Sequence, residues 1–172
     1  MARLPYEREH RMRKNDLYEI RKISDIRDML YDCGERYAER TAYYVKDEPG
    51  GPYRSNRYKQ LRSNVDGLGT SLLALGLKGK KIALIGENSY EWALTYCTVR
   101  SGVGVVVPLD RALPLSELKN LMMRSGVNAV VYSRRMEKAV LEAAGELPQL
   151  EYLIGMGAET SEGKRYSFWE LV

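Results

Sequence analysis

The sequence has 172 residues, enough for one sizeable hydrophobic core with a small appendage. An apolar share of 44% and a charged share of 29% fit a globular chain, and a net charge of +4 is too modest to imply nucleic acid. The charged N-terminus lacks the apolar stretch of a secretory signal, and Arg100 interrupts the most apolar window, 92–109, so neither export nor a membrane span is expected.

Residues 1–22 form a charged arm, with seven basic residues against four acidic ones. Such interleaving predicts a solvated extension; a contact with phosphate or an anionic surface is the other reading. His10, the one histidine, falls in this arm and without a second histidine reads as a surface residue. Ser24 is placed to cap a helix whose first turn holds Asp25 and Asp28, with Ile26, Met29, Leu30, Cys33 and Tyr37 on one face. Segments 42–47 and 53–55 flank Glu48-Pro49-Gly50-Gly51-Pro52 and predict a β-hairpin. No helix with a P-loop lysine follows the glycine pair, so it reads as a turn and not as a phosphate loop.

The next helix carries Leu61, Val65, Leu68, Leu72 and Leu75 along one stripe, and Gly76 stops it. Four strands, beginning at 82, 103, 129 and 152, then alternate with helices and predict a parallel sheet covered on both faces. The stretch 80–110 organises the rest: a buried strand at 82–85, a helix, a glycine stop and a second strand at 103–107. Asn88 with Glu91 resembles a capping box, Trp92, Tyr96 and Val99 recur at helical spacing, and Gly102 ends the helix. Pro108 closes the second strand by removing a ladder donor, and the crossover is expected to be right-handed.

Leu115, Leu118, Leu121 and Met122 mark a helix after Pro114, closed by Gly126. Met136, Val140 and Ala144 mark another, ended before Pro148. The tail 159–172 is polar and then brings Tyr166, Phe168, Trp169 and Leu171, which require a surface to pack on. Cys33 and Cys97, lone cysteines on predicted helix faces, read as reduced thiols of a cytoplasmic protein.

A doubly wound sheet binds ligands beyond the carboxyl ends of its strands, so the loops 86–89, 108–113 and 133–135 are the places to look. The first lacks the three-glycine dinucleotide fingerprint, with Glu87 where a pyrophosphate would need bare backbone, which disfavours an NAD-dependent oxidoreductase. Asp110 is read as a turn residue, and Ser133-Arg134-Arg135 as a solvated helix start, with phosphate grip as the sharper alternative. No nucleophile, base and acid can be assembled, so no catalytic, cofactor-binding or metal residue is assigned.

Several blocks taken in order resemble the AMP-forming adenylating enzymes, the superfamily of acyl-CoA synthetases. They are Tyr58-Lys59-Gln60-Leu61, the leucine-striped helix running into Leu75-Gly76-Leu77-Lys78-Gly79-Lys80-Lys81, then Ile82 through Gly86, Asn88-Ser89 with Glu91-Trp92, and Arg100 through Asp110. Asn88-Ser89-Tyr90-Glu91-Trp92 and Ser125 through Tyr132 are most similar to long-chain fatty-acid–CoA ligases. Arg57 departs from the family's helix-capping Thr, which predicts a shifted helix start capped by Asn56 or Ser55.

The resemblance implies an α/β fold, with residues 23–172 as the N-terminal portion of a larger AMP-binding domain. It implies ATP, Mg²⁺ and CoA as cofactors of the intact enzyme, and a carboxylate and a nucleotide as its small-molecule partners. Family members carry their phosphate loop, metal ligands and catalytic lysine downstream, so this stretch alone is expected to be an inactive scaffold with no cofactor bound. Apolar surface left open by truncation would favour a homo-oligomer. A non-catalytic α/β interaction or regulatory module is the alternative from another class.

Overall fold

A computed structural model describes residues 21–46, 48 and 50–172. Most of the predicted arm, including His10, lies outside the described residues. Of the arm, Arg21 is tied to the first helix by ion pairs with Asp28 and, at 3.4 Å, with Asp32.

Helix α1 spans Ile26–Arg36, and its N-cap is Asp25, not Ser24: the Asp25 carboxylate accepts the Asp28 amide at 2.8 Å. Ser24 contributes differently, donating its own amide and hydroxyl to the Asp28 carboxylate. Strands β1 (Thr41–Lys46) and β2 (Tyr53–Arg57) form the expected antiparallel hairpin, with a bulge between Thr41 and Tyr43.

Helix α2 (Tyr58–Ala74) begins directly after β2, without the shift expected from Arg57. Arg57 occupies the N-cap without a side-chain capping bond, its guanidinium pairing with Glu39 instead. Its work is done by the preceding turn, where the carbonyls of Arg40 and Ala38 accept the amides of Tyr58 and Lys59 at 3.0 and 3.2 Å. Leu61, Val65, Leu68 and Leu72 are buried as the stripe predicts, while Leu75 is half-buried.

The main sheet has five parallel strands: β3 (Lys81–Ile85), β4 (Val105–Leu109), β5 (Ala129–Tyr132), β6 (Tyr152–Gly155) and β7 (Arg165–Ser167). Their spatial order is β4-β3-β5-β6-β7. Strands β3 and β5 read as continuous apolar runs because both faces are covered. Ile82, Leu84, Ala129 and Val131 join the core under α1 and α2, whereas Ala83, Ile85, Val130 and Tyr132 join the core on the opposite face. That second core is closed by α4 (Leu115–Ser125) and α5 (Glu137–Ala144), through Leu118, Met122, Val140 and Ala143. Gly126 ends α4 in the left-handed conformation, φ 64°, as predicted. Leu121, one of the residues that mark this helix in the sequence, is exposed.

Helix α3 (Tyr90–Thr98) lies with α2 on the first face. The fully buried positions are Tyr90, Leu94, Thr95 and Thr98; Trp92 and Tyr96 are half-buried and stack on one another, 9° from parallel. After α3 the chain makes a wide π-turn, Val99–Val103, closed by a 3.1 Å bond from the Gly104 amide to the Val99 carbonyl. This turn moves β4 two residues beyond the predicted 103–107. Pro108 therefore sits inside the strand, tolerated because β4 is an edge.

The polar tail supplies β7 and the short helix α6 (Phe168–Leu171), whose Phe168 is fully buried in the core beneath α2. The expectation that this tail ends on a packed element holds, although the strand itself was not anticipated.

Candidate functional site

With β3 as the first strand of the main sheet, the order reads 2-1-3-4-5. The chain leaves β3 toward α3 on one face and leaves β5 toward α5 on the other. The crevice of a doubly wound sheet opens where adjacent strands send their loops to opposite sides, which here is between β3 and β5. Two of the three loops singled out from sequence, 86–89 and 133–135, meet there.

The floor of this crevice is narrow. A Cβ on Gly86 would stand 2.8 Å from the Ser133 Cβ, so glycine is required for the two loops to pass. Ser133 is only 8% exposed, and its hydroxyl oxygen is buried without a hydrogen-bond partner. The hydroxyl nevertheless lies near the Glu87 carboxyl and is the main influence holding it below the ordinary carboxylate range, with Arg135 and Arg111 adding weaker attraction. Proximity short of full hydrogen-bond geometry accounts for both observations. Sequence reading treated Glu87 as an obstacle to pyrophosphate; its pairing with Ser133 depends on two strands 46 residues apart in number and left no local signal.

Arg134 and Arg135 are exposed. A Cβ on Gly157 would meet the Arg134 Cβ at 2.9 Å, so Arg134 lies across the loop that follows β6. Asp110 accepts the Ala112 amide at 2.9 Å, the turn role expected of it. The buried Tyr132 hydroxyl has no partner within hydrogen-bond geometry, and burial pushes its pKa up.

A larger cleft, about 770 Å³, opens between the hairpin and the start of α3. Tyr43, Tyr44, Lys46, Arg54, Tyr90 and Trp92 are among its lining residues. Its helix start is capped by Ser89, whose hydroxyl oxygen accepts the Trp92 amide at 3.1 Å; Asn88, the predicted cap, makes no such bond and is exposed. Tyr90 packs edge-on against Tyr43, stacks with Trp169 and accepts from the Asn64 amide group at 3.1 Å. Sequence reading missed this cleft because the hairpin tyrosines become neighbours of α3 only through the tertiary fold.

Among the described residues no three His, Cys, Asp or Glu side chains come together to hold a metal ion. Cys33 and Cys97 are free, and burial raises both thiol pKa values, which disfavours a reactive thiolate. No helix among the described residues is long and apolar enough to cross a membrane.

The strand order and the helices on both faces define the class as a doubly wound α/β fold, with loops 86–89 and 133–135 meeting at the strand carboxyl ends. Residues 30–167 match the family model of the AMP-binding enzymes. The chain belongs to that family. Among curated proteins it is 30% identical over 114 residues to the mitochondrial medium-chain acyl-CoA ligase ACSF2 of Mus musculus, covering 65% of this chain and 18% of the relative. It is 30% identical over 108 residues to the 4-hydroxybenzoate–CoA/benzoate–CoA ligase of Rhodopseudomonas palustris, covering 62% of this chain and 20% of the relative. The chain thus spans about a fifth of the length of these relatives.

Among solved structures, the fold matches coronafacic acid ligase of Pectobacterium brasiliense with a TM-score of 0.75, at 19% identity over 87% of this chain and 29% of that one. It also matches the anthranilate CoA ligase AuaEII, crystallised with anthranoyl-AMP, with a TM-score of 0.74, at 18% identity over 88% of this chain and 27% of that one.

Proposed function

We propose that residues 23–172 are the N-terminal portion of an adenylation domain. In the intact enzyme they scaffold an ATP-dependent acid–CoA ligase. The observation that carries this reading is the family match across residues 30–167. Such a ligase works in two steps. A carboxylate attacks the α-phosphate of ATP to give acyl-AMP and pyrophosphate, and the CoA thiolate then displaces AMP to form the thioester. Mg²⁺, if bound in the intact enzyme, would supply neutralisation of the phosphate charge.

The platform's part is positional. Its parallel strands hold the β3–β5 crevice rigid, while the phosphate chemistry rests on residues beyond this stretch. Acyl-AMP formation by residues 1–172 alone is accordingly expected to be nil. Three exposed aromatics at or beside the hairpin–α3 cleft, Tyr44, Tyr53 and Trp169, support the reading of a platform with uncovered surface and favour self-association.

The substrate is a carboxylic acid, and the similarity of Asn88-Ser89-Tyr90-Glu91-Trp92 to long-chain ligases makes a long fatty acid the first candidate. The names of the relatives extend the panel to medium-chain and aromatic acids. The compartment proposed from the two free thiols is the cytoplasm, although ACSF2 is named as mitochondrial. The test is thioester formation from ATP, CoA and that panel by the product of the complete reading frame. A long-chain preference supports the full reading. A medium-chain or aromatic preference corrects the substrate alone, and no thioester with any acid refutes the ligase.

A further inference from the structure

Three connections reach the amino end of the main sheet: 75–80 from α2, the π-turn region 99–104 from α3, and 126–128 from α4. Backbone bonds hold them together there. The Gly79 amide donates to the Val103 carbonyl at 2.7 Å, the Val105 amide to the Lys80 carbonyl at 2.9 Å, and the Asn128 amide to the Lys81 carbonyl at 2.8 Å. Lys78, Lys80, Lys81, Arg100 and Arg124 stand exposed on or beside these connections. We propose that this end of the molecule docks on a membrane surface carrying anionic lipid headgroups. The inference does not rest on the ligase reading, and it turns the β3–β5 crevice, at the other end of the strands, away from the bilayer.

The charge at this end is concentrated and unspent. Residues 67–86, 92–109 and 118–136, which build it, contain no Asp or Glu. The five cations together exceed the net +4 of the whole chain. Among the described residues none of the five is in an ion pair. Two are fixed by neutral oxygens: Lys81 Nζ donates to the Ser125 carbonyl at 2.8 Å, and the Arg100 guanidinium to the Tyr96 hydroxyl at 2.9 Å. Asp66, across the pocket beside the π-turn, and Glu151, at the approach to β6, bound the patch. Compensation of helix dipoles is the simpler account of cations here, since α2, α3 and α4 all end at this face. Magnitudes decide against it. Each helix carboxyl end carries about half a negative charge, about 1.5 for the three, so most of the five positive charges stay uncompensated.

Exposed apolar side chains among the cations select the partner. Val105, which opens β4 beside Lys80, is 53% exposed, and Met123, next to Arg124, is 59% exposed. Arg100 and Val105 line one hollow of about 310 Å³. Cations interleaved with aliphatic side chains suit the boundary between headgroups and acyl chains. A nucleic acid would draw on exposed aromatic rings to stack its bases. The exposed aromatics lie elsewhere: Tyr44, Tyr53 and Trp169 at or beside the hairpin–α3 cleft, and Tyr37 against Tyr58 at the far end of α2.

The test is sedimentation of the 172-residue chain with lipid vesicles. Phosphatidylcholine vesicles containing about 30% phosphatidylserine should carry the protein down, and pure phosphatidylcholine vesicles should not. Raising the salt from about 0.1 M to about 0.5 M should release most of it, because the screening length falls by more than half. Each cation near the surface is worth about fivefold in partitioning, so Lys78→Gln/Lys80→Gln/Arg124→Gln should bind about a hundredfold more weakly. Met123→Gln should lose at least about threefold, while Met123→Leu keeps binding. These positions are exposed, and thermal midpoints within about 2 °C of wild type separate lost binding from lost folding. The N-terminal arm is the competing source of attraction, but its basic and acidic residues interleave, so Arg8→Gln/Arg11→Gln/Arg13→Gln should stay within about threefold of wild type. Equal sedimentation with both kinds of vesicle, undiminished binding by the Lys78/Lys80/Arg124 variant, a larger loss in the arm variant, or tighter binding of a duplex oligonucleotide than of the anionic vesicles overturns the proposal.

Discussion

At the scale of single residues, helix caps fall one position later than the sequence pattern places them. Asn88-Ser89 and Ser24-Asp25 each offer two adjacent capping side chains, and pattern alone does not choose between them. Tertiary packing chooses: Tyr90 is buried as the first residue of α3, which leaves Ser89 in the extended conformation a cap requires. Ser89→Ala should therefore cost about 1 kcal/mol in urea unfolding, and Asn88→Ala should fall within about 0.5 kcal/mol of wild type. The reverse order would move the cap back to Asn88.

Glu87 makes a second prediction at this scale. Its pKa is lowered in the fold by Ser133, Arg135 and Arg111, so it contributes stability above its unfolded pKa and loses it as pH falls through the folded value. Glu87→Gln should destabilise the protein at pH 7, and the difference from wild type should shrink as the pH falls below the ordinary carboxylate value and through the lower folded one. An unchanged difference across that range would contradict the assignment.

At the scale of elements, the parts legible in the sequence are those fixed by local apolar period. The α2 stripe, the unbroken apolar runs of β3 and β5 and the glycine stop of α4 all stand where they were placed. Strand β4 was displaced because a π-turn gives no period of its own, and β7 was missed because three residues are too few to show alternation. Arg57 taught a related lesson. The sequence shows a missing cap, but the Arg40 and Ala38 carbonyls that replace it come from a turn 18 and 21 residues before the Tyr58 and Lys59 amides they accept, and touch the helix start directly in space. Arg57→Thr should consequently gain little, within about 0.5 kcal/mol of wild type, because it adds a cap oxygen but removes the exposed pair with Glu39. Gly104→Ala is the opposite case. Its Cβ would run into the Lys80 backbone at the β3–β4 edge, and a cost of about 1–3 kcal/mol is expected in denaturant unfolding.

At the scale of the whole molecule, two cores on opposite faces of one sheet hold the crevice between β3 and β5. The loops that meet there were legible, since the rule for doubly wound sheets names strand ends from order alone. The Glu87–Ser133 contact and the hairpin–α3 cleft were not, because each joins segments distant in sequence. Leu72, fully buried on the inner face of α2, links the leucine stripe to the first core, and Leu72→Ala should cost about 2–5 kcal/mol. The central claim concerns the division of labour between this platform and the chemistry of its family. The most direct measurement is carboxylate-dependent exchange of pyrophosphate into ATP, run side by side on residues 1–172 and on the product of the complete reading frame. The account predicts exchange by the latter and none by the former. Exchange by the 172-residue chain alone would contradict it, and so would a complete product that activates no carboxylate.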